Sequence, residues 1–178
     1  MIRATLIRPA QQRDVGDIGR IHVESWRDAY QGILPQDYLD GLSAEKEAHS
    51  VMQALMDPKA LYLIAEGDRG PLGYVSAGPV RGQDPIYGAE LYEIYLRPEA
   101  QRHGLGRQLL DHMARRLHQA GFYTLLVWVL ARNPNRRFYE KCGAIYLRTK
   151  AIAFAGLTLQ ANAYGWIDIT LAMDADPV

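Results

Sequence analysis

The run Thr124-Leu125-Leu126-Val127-Trp128-Val129-Leu130 is apolar nearly throughout. Such a run fits a central strand covered on both faces, as in layered α/β arrangements. The segment before it carries Leu105, Leu109, Met113 and Leu117 at a spacing of four, one core-facing helical stripe that ends at Gly121. A further strand, Ala89 to Leu96, precedes that helix and is closed by Pro98. The joint between strand and helix is Gln101-Arg102-His103-Gly104-Leu105-Gly106. Two glycines just ahead of a helix let backbone approach a ligand closely and aim unpaired N–H groups at one spot. The helix dipole adds positive charge there, so the joint reads as an anion cradle, best suited to a pyrophosphate. Gly-x-Gly also makes ordinary caps and turns, so the cradle needs support from the rest of the chain.

The remaining pattern is consistent with one α/β domain spanning residues 1–178 and built on a mixed sheet. Thr5-Leu6-Ile7-Arg8 reads as a first strand ended by Pro9. Asp14 is placed to cap a helix whose buried face carries Val15, Ile18, Ile21, His22, Ser25, Trp26, Ala29 and Tyr30. Pro35 opens a short helical turn, and Ser43 starts another helix with Val51, Leu55 and Met56 available for packing. Leu61 to Glu66 and Gly73 to Ala77 form a hairpin around Gly67-Asp68-Arg69-Gly70. Asn133 to Cys142 is a short helix ended by Gly143. Two final strands are expected near Ala144 to Phe154 and Asn162 to Leu171, flanking Gly156.

Composition removes several function classes. The 178 residues hold twenty basic and twenty acidic side chains, which argues against a nucleic-acid binder relying on overall positive charge. The single cysteine, Cys142, excludes an internal disulfide and reads as a buried thiol. Five scattered histidines show no metal-ligand spacing, and His112 and His118 are expected to face solvent, so no metal is expected. The N-terminus lacks a signal-peptide apolar core and no apolar run is long enough to span a membrane; the expected location is the cytoplasm. The joint also lacks a Walker Lys-Ser/Thr and a Rossmann third glycine, which disfavours a nucleotide-binding domain.

Three segments in order then become specific. They are Leu91-Tyr92-Glu93-Ile94-Tyr95-Leu96-Arg97-Pro98, the Gln101–Gly106 joint, and Phe138-Tyr139-Glu140-Lys141-Cys142-Gly143. Together they resemble the GCN5-related N-acetyltransferase (GNAT) superfamily, sharply from about Glu90 to Gly143 and as a topology over the whole chain. The resemblance implies a central, mostly antiparallel mixed sheet splayed between its fourth and fifth strands and flanked by helices. It also implies acetyl-coenzyme A as donor and an amine as acceptor, attacked directly in a ternary complex.

The resemblance assigns residues as well. Gln101, Arg102, His103, Gly104, Leu105, Gly106 and Arg107 would hold the pyrophosphate, chiefly by backbone N–H, with Arg102, Arg107 and Arg97 adding charge. The glycines would keep that approach clear of side chains. Ile94, Tyr95 and Leu96 would meet the pantetheine arm in the wedge, the Ile94 N–H facing the acetyl carbonyl. Tyr139 stands where many members protonate the departing thiolate. Asn133 resembles the asparagine that bonds the pantetheine arm, but its gap to Tyr139 is one residue short, so Asn133 and Asn135 both remain candidates.

An alkylamine is mostly protonated at neutral pH, so a base is useful. Glu90 precedes Gln101 at the spacing of the catalytic glutamate in histone-acetylating members. On a regular strand it shares a face with Tyr92, Ile94 and Leu96, while Glu93 points the other way unless a bulge intervenes. Glu90 is the first candidate and Glu93 the second; a salt-bridge role suits either, and many members have no carboxylate base.

Acceptor specificity should come from the N-terminal helices, the Arg81–Gly88 loop and the last hairpin. Trp26, Tyr30 and Tyr92, with Asp28, Tyr38 and Tyr87, could form an aromatic pocket for a cationic amine. Trp26 and Tyr30 are equally at core spacing. His22 to Trp26 and Ala29 to Gly32 resemble small bacterial members, some of which acetylate polyamines. A small-molecule, polyamine-like amine is therefore the leading acceptor, with a protein N-terminus or lysine second. A non-catalytic coenzyme A-binding sensor or partner subunit is the reading from another class. Exposed edge strands at the last hairpin are compatible with a homodimer.

Overall fold

The computed structural model describes residues 6–173. The expected strand residue Thr5 lies outside them. Seven strands form one sheet: β1 (Leu6–Pro9), β2 (Leu61–Gly67), β3 (Gly70–Pro79), β4 (Ala89–Leu96), β5 (Leu125–Leu130), β6 (Ile145–Phe154) and β7 (Leu157–Trp166). Their spatial order is β1-β2-β3-β4-β5-β7-β6. Every neighbouring pair is antiparallel except β4 with β5.

Among the described residues five α-helices accompany the sheet: α1 (Val15–Tyr30), α2 (Gln36–Asp40), α3 (Ala44–Ala54), α4 (Leu105–Gln119) and α5 (Arg137–Lys141). The apolar stripe of α4 (Leu105, Leu109, Met113 and Leu117) is buried with Val75, Leu91, Val127 and Val129 from the strands. On the other face Ile18 and Ile21 of α1 and Val51 of α3 enclose Ile64 and Tyr74. Alternate β5 residues therefore go to different clusters: Val127 and Val129 to the α4 side, Leu126 and Trp128 to the other. The two-sided cover expected of this strand is present.

The parallel pairing of β4 with β5 covers only Ala89 to Leu91, opposite Leu125 to Val127. Beyond Leu91 the two strands part. A bulge on β4 sits at the same point, since Leu91 pairs with Ala77 and Glu93 with Ser76, leaving Tyr92 as the extra residue. Ile94 and Leu96 then pack with the α4 cluster, whereas Tyr95 packs with the α1 side.

Two local expectations need correction. The last strand is Leu157–Trp166 rather than Asn162–Leu171. Ala155 and Gly156 both have positive φ, 51° and 75°, so the chain reverses in two residues and pairing resumes at once. Asp14 precedes α1 but does not cap it through its side chain. Its carboxylate takes two bonds from Arg8, at 2.7 and 2.9 Å, and one from the Gln11 N–H.

Candidate active site

The parting of β4 and β5 opens a cavity of about 760 Å³, lined by residues of α1, β4, β5, α5 and the segment leading into α4. Backbone alternation decides what faces it. The Arg97 N–H bonds the Leu72 carbonyl, so in this antiparallel register Tyr95 and Glu93 also use their main-chain groups on β3. Those of Ile94 and Leu96 consequently point away from β3, into the wedge. The Leu96 carbonyl is already bonded by Ser25 Oγ at 3.3 Å and Gln101 Nε2 at 3.2 Å.

At the mouth of the wedge, Gly104 has φ 84°, a conformation suited to glycine, and a Cβ there would meet nothing within 4 Å. The first turn of α4 follows at once, and its opening N–H groups have no acceptor within the helix. Arg102 and Arg107 line this end of the cavity. An open backbone cradle, a helix N-terminus and two guanidinium groups fit a pyrophosphate. Gly106 differs from Gly104: a Cβ there would lie 3.3 Å from the Phe138 ring, so its bareness serves helix packing.

Ile94, Tyr95, Leu96, Gln101, Arg102, Gly104, Gly106, Arg107, Asn133, Asn135 and Tyr139 all line the cavity. His103 and Leu105 do not; Leu105 is buried in the core beneath α4. Arg97 turns away, bonding Glu24 at 3.0 Å and the Pro71 carbonyl at 3.0 Å. Asn133 is buried, donating to the Tyr30 hydroxyl at 3.1 Å and accepting from the Asn135 N–H at 2.8 Å. Exposed Asn135 stands at the rim.

The two candidate bases separate. Glu90 is 2% exposed and does not line the cavity. Arg81 occupies its carboxylate, through the guanidinium at 2.6 Å and the backbone N–H at 2.9 Å, which fastens the β3–β4 loop. Glu93 does line the cavity, because the bulge at Tyr92 turns it to the face that a regular strand would deny it. Its side chain is 27% exposed. Burial raises its carboxyl above the ordinary range, against hydrogen bonds from Tyr74 at 3.1 Å and Ser76 at 3.3 Å.

Tyr139 lines the cavity across from β4, beside Tyr164, and burial pushes its phenol well above the usual tyrosine range. It therefore stays protonated at neutral pH. Of the expected aromatic pocket, Tyr30 and Tyr92 reach the cavity. Trp26 packs behind, against His22, Tyr30, Tyr38 and Phe154. Tyr87 is buried over Gly165, and Asp28 is exposed away from the lining. Trp128 and Ser25 line the cavity without having been singled out by the sequence. Phe138 also lines the cavity while packing against the α4 core cluster. His22, a polar residue on an apolar helix face, carried a signal of its own: a buried imidazole requires a partner.

Among the described residues no group of three His, Cys, Asp or Glu side chains is gathered for a metal, and no helix is long and apolar enough to cross a membrane.

Comparison with known proteins agrees with this architecture. The family model described as Acetyltransferase (GNAT) family matches residues 21–144. The uncharacterized N-acetyltransferase YuaI of Bacillus subtilis is 35% identical over 165 residues, covering 92% of this chain and 94% of that protein. A spermidine N(1)-acetyltransferase of Thermoplasma acidophilum is 24% identical over 143 residues, covering 77% of this chain and 86% of that protein. The crystal structure of the PaiA N-acetyltransferase from Thermoplasma acidophilum in complex with coenzyme A superposes with a TM-score of 0.66 at 22% identity. It covers 91% of this chain and 98% of that one. This chain belongs to the GNAT acetyltransferase family and is an acetyl-CoA-dependent N-acetyltransferase.

Proposed function

We propose that this GNAT enzyme acetylates a small-molecule primary amine, with Glu93 as base and Tyr139 as acid. One observation carries the reading: both side chains line a single cavity onto which the Ile94 backbone and the Leu96 N–H turn, away from β3. Acetyl-CoA supplies the activated thioester. The Gly104–Arg107 segment, with Arg102, would bind its pyrophosphate, and Ile94, Leu96 and Asn135 its pantetheine arm.

Glu93 takes the proton of the acceptor's ammonium and leaves a neutral amine in position to attack. The Ile94 N–H stabilises the negative charge that develops on the acetyl oxygen. Tyr139 gives its phenolic proton to the departing thiolate, and the second proton, shed by the attacking nitrogen as the amide forms, restores the phenol. Tyr30, Tyr92 and Trp128 supply aromatic walls around a cationic acceptor. The spermidine acetyltransferase among the relatives supports a polyamine-like amine. Glu90 has no step here; it holds the loop that borders the site.

The test is thiol release from acetyl-CoA with putrescine, spermidine, tyramine, lysine and a peptide with a free N-terminus. Turnover of a free amine above the peptide supports the reading. Preference for the peptide would move the acceptor to protein N-termini, and binding of acetyl-CoA without release with any amine would favour a sensor.

A further inference from the structure

Behind Glu93 lies a buried group with no step in this chemistry. His22, on α1, is 7% exposed and stacks on Trp26. Its Nδ1 lies 2.9 Å from the Tyr74 hydroxyl and 3.5 Å from Glu93 Oε1. The Tyr74 hydroxyl is 3.1 Å from Glu93 Oε2. From α3, Glu47 stands 3.9 Å from His22 Nε2, beyond hydrogen-bond reach. Tyr95 of β4 meets the ring edge-on at 5.3 Å. Thus the groups facing His22 are Glu47, Tyr74, Glu93 and Tyr95, with Trp26 on its own helix.

Proton counting fixes the direction of this chain. An ionised Glu93 only accepts, so the single Tyr74 proton goes to Glu93. The Tyr74 oxygen can then only accept from His22, which requires the imidazole proton on Nδ1. Both oxygens near Nδ1 are acceptors in that arrangement, while Nε2 has no hydrogen-bond partner among the described residues. Burial holds the imidazole neutral, at about 4, so the ring carries one proton at neutral pH.

Resting on the assignment of Glu93 as base, we propose that His22 is a positioning residue for it. The His22 Nδ1–H donates to Tyr74, whose hydroxyl donates to Glu93, and this polarised chain aims the carboxylate into the cavity and keeps it ionised for the acceptor's ammonium. Glu93 touches the acceptor; His22 and Tyr74 act through Glu93.

Two measurements test this. In protein labelled with 15N-histidine, the His22 ring, assigned by the loss of its signals in His22→Asn, should carry its proton on Nδ1 at neutral pH. A proton on Nε2 would overturn the proposal, and this reading requires no acceptor. The second is the pH profile of kcat, with whichever of putrescine, spermidine, tyramine and lysine is turned over fastest. His22→Leu and Tyr74→Phe should each lower kcat about 10-fold and move the acid limb up by about one pH unit, leaving the KM for acetyl-CoA unchanged. His22→Asn, whose amide can replace the Nδ1 donor, should restore the limb. If His22→Leu keeps the wild-type limb while Glu93→Gln abolishes it, the base stands and the positioning role falls. If Glu93→Gln retains the limb, Glu93 is not the base and the positioning role falls with it.

Discussion

Gly106 faces the Phe138 ring across two helices: a Cβ on Gly106 would lie 3.3 Å from that ring. Phe138 precedes Tyr139 on α5, so a side chain added at Gly106 would press on the neighbour of the proposed acid. Gly106→Val should displace the ring and cost about 1–3 kcal/mol of stability. It should also lower kcat more than it raises the KM for acetyl-CoA, because Tyr139 moves with its neighbour. Thermal unfolding and steady-state kinetics on the one variant check both effects.

Gly104 gives the contrasting case, with open space where a side chain would go and φ 84°. Gly104→Ala should cost about 1 kcal/mol from backbone strain and bind coenzyme A with little change. Gly104→Glu places a carboxylate at the proposed pyrophosphate cradle and should weaken coenzyme A at least ~10-fold, roughly the 1.4 kcal/mol of one decade in affinity. Titration calorimetry of both variants with coenzyme A separates strain from charge.

Tyr139→Phe keeps the ring and removes only the proposed acid. An expected loss of about 10²-fold in kcat, with folding and the KM for acetyl-CoA preserved, matches the usual size of general-acid catalysis. Because burial raises this phenol, wild-type activity should hold on the alkaline side past the ordinary tyrosine range. Unchanged turnover in the variant at every pH would remove Tyr139 from the chemistry.

Away from the site, Arg8 bridges Asp14 at 2.7 Å and Glu66 at 2.6 Å, with the Arg8 and Asp14 side chains 13% and 6% exposed. The Arg8 bonds hold the Asp14 carboxyl below its ordinary range. A lowered carboxyl adds stability at neutral pH that disappears as the pH falls through its folded value. Asp14→Asn should therefore cost about 2 kcal/mol near pH 7. The gap to wild type should close as the pH drops below about 4. Urea unfolding across that range reads it directly.

How far the sequence reveals this site depends on the kind of signal. The α4 stripe, the all-apolar β5 and the glycine joint are periodic or compositional, and each has its expected place. The choice between Glu90 and Glu93 is different. A period of two assigns faces only on a regular strand, and one extra residue, Tyr92, inverts the assignment beyond it. No residue type at that position announces a bulge. The asparagine pair is similar: Asn133 has the family-like position, and its amide is bonded to Tyr30 and to the Asn135 N–H, partners 103 and 2 residues away that spacing along the chain does not reveal. The late start expected for β7 was an error of turn chemistry, since Ala155-Gly156 suffices for the reversal.

Whether the bulge hands the base role to Glu93 is read from kcat for Glu93→Gln beside Glu90→Gln under one acetyl-CoA concentration. If Glu93 is the base, Glu93→Gln loses about 10²-fold or more in kcat and its acid limb, while retaining coenzyme A affinity. Glu90→Gln, by contrast, loses stability through Arg81 and keeps kcat within a few-fold. The opposite pattern, with Glu90→Gln folded but inactive and Glu93→Gln near wild type, would contradict it.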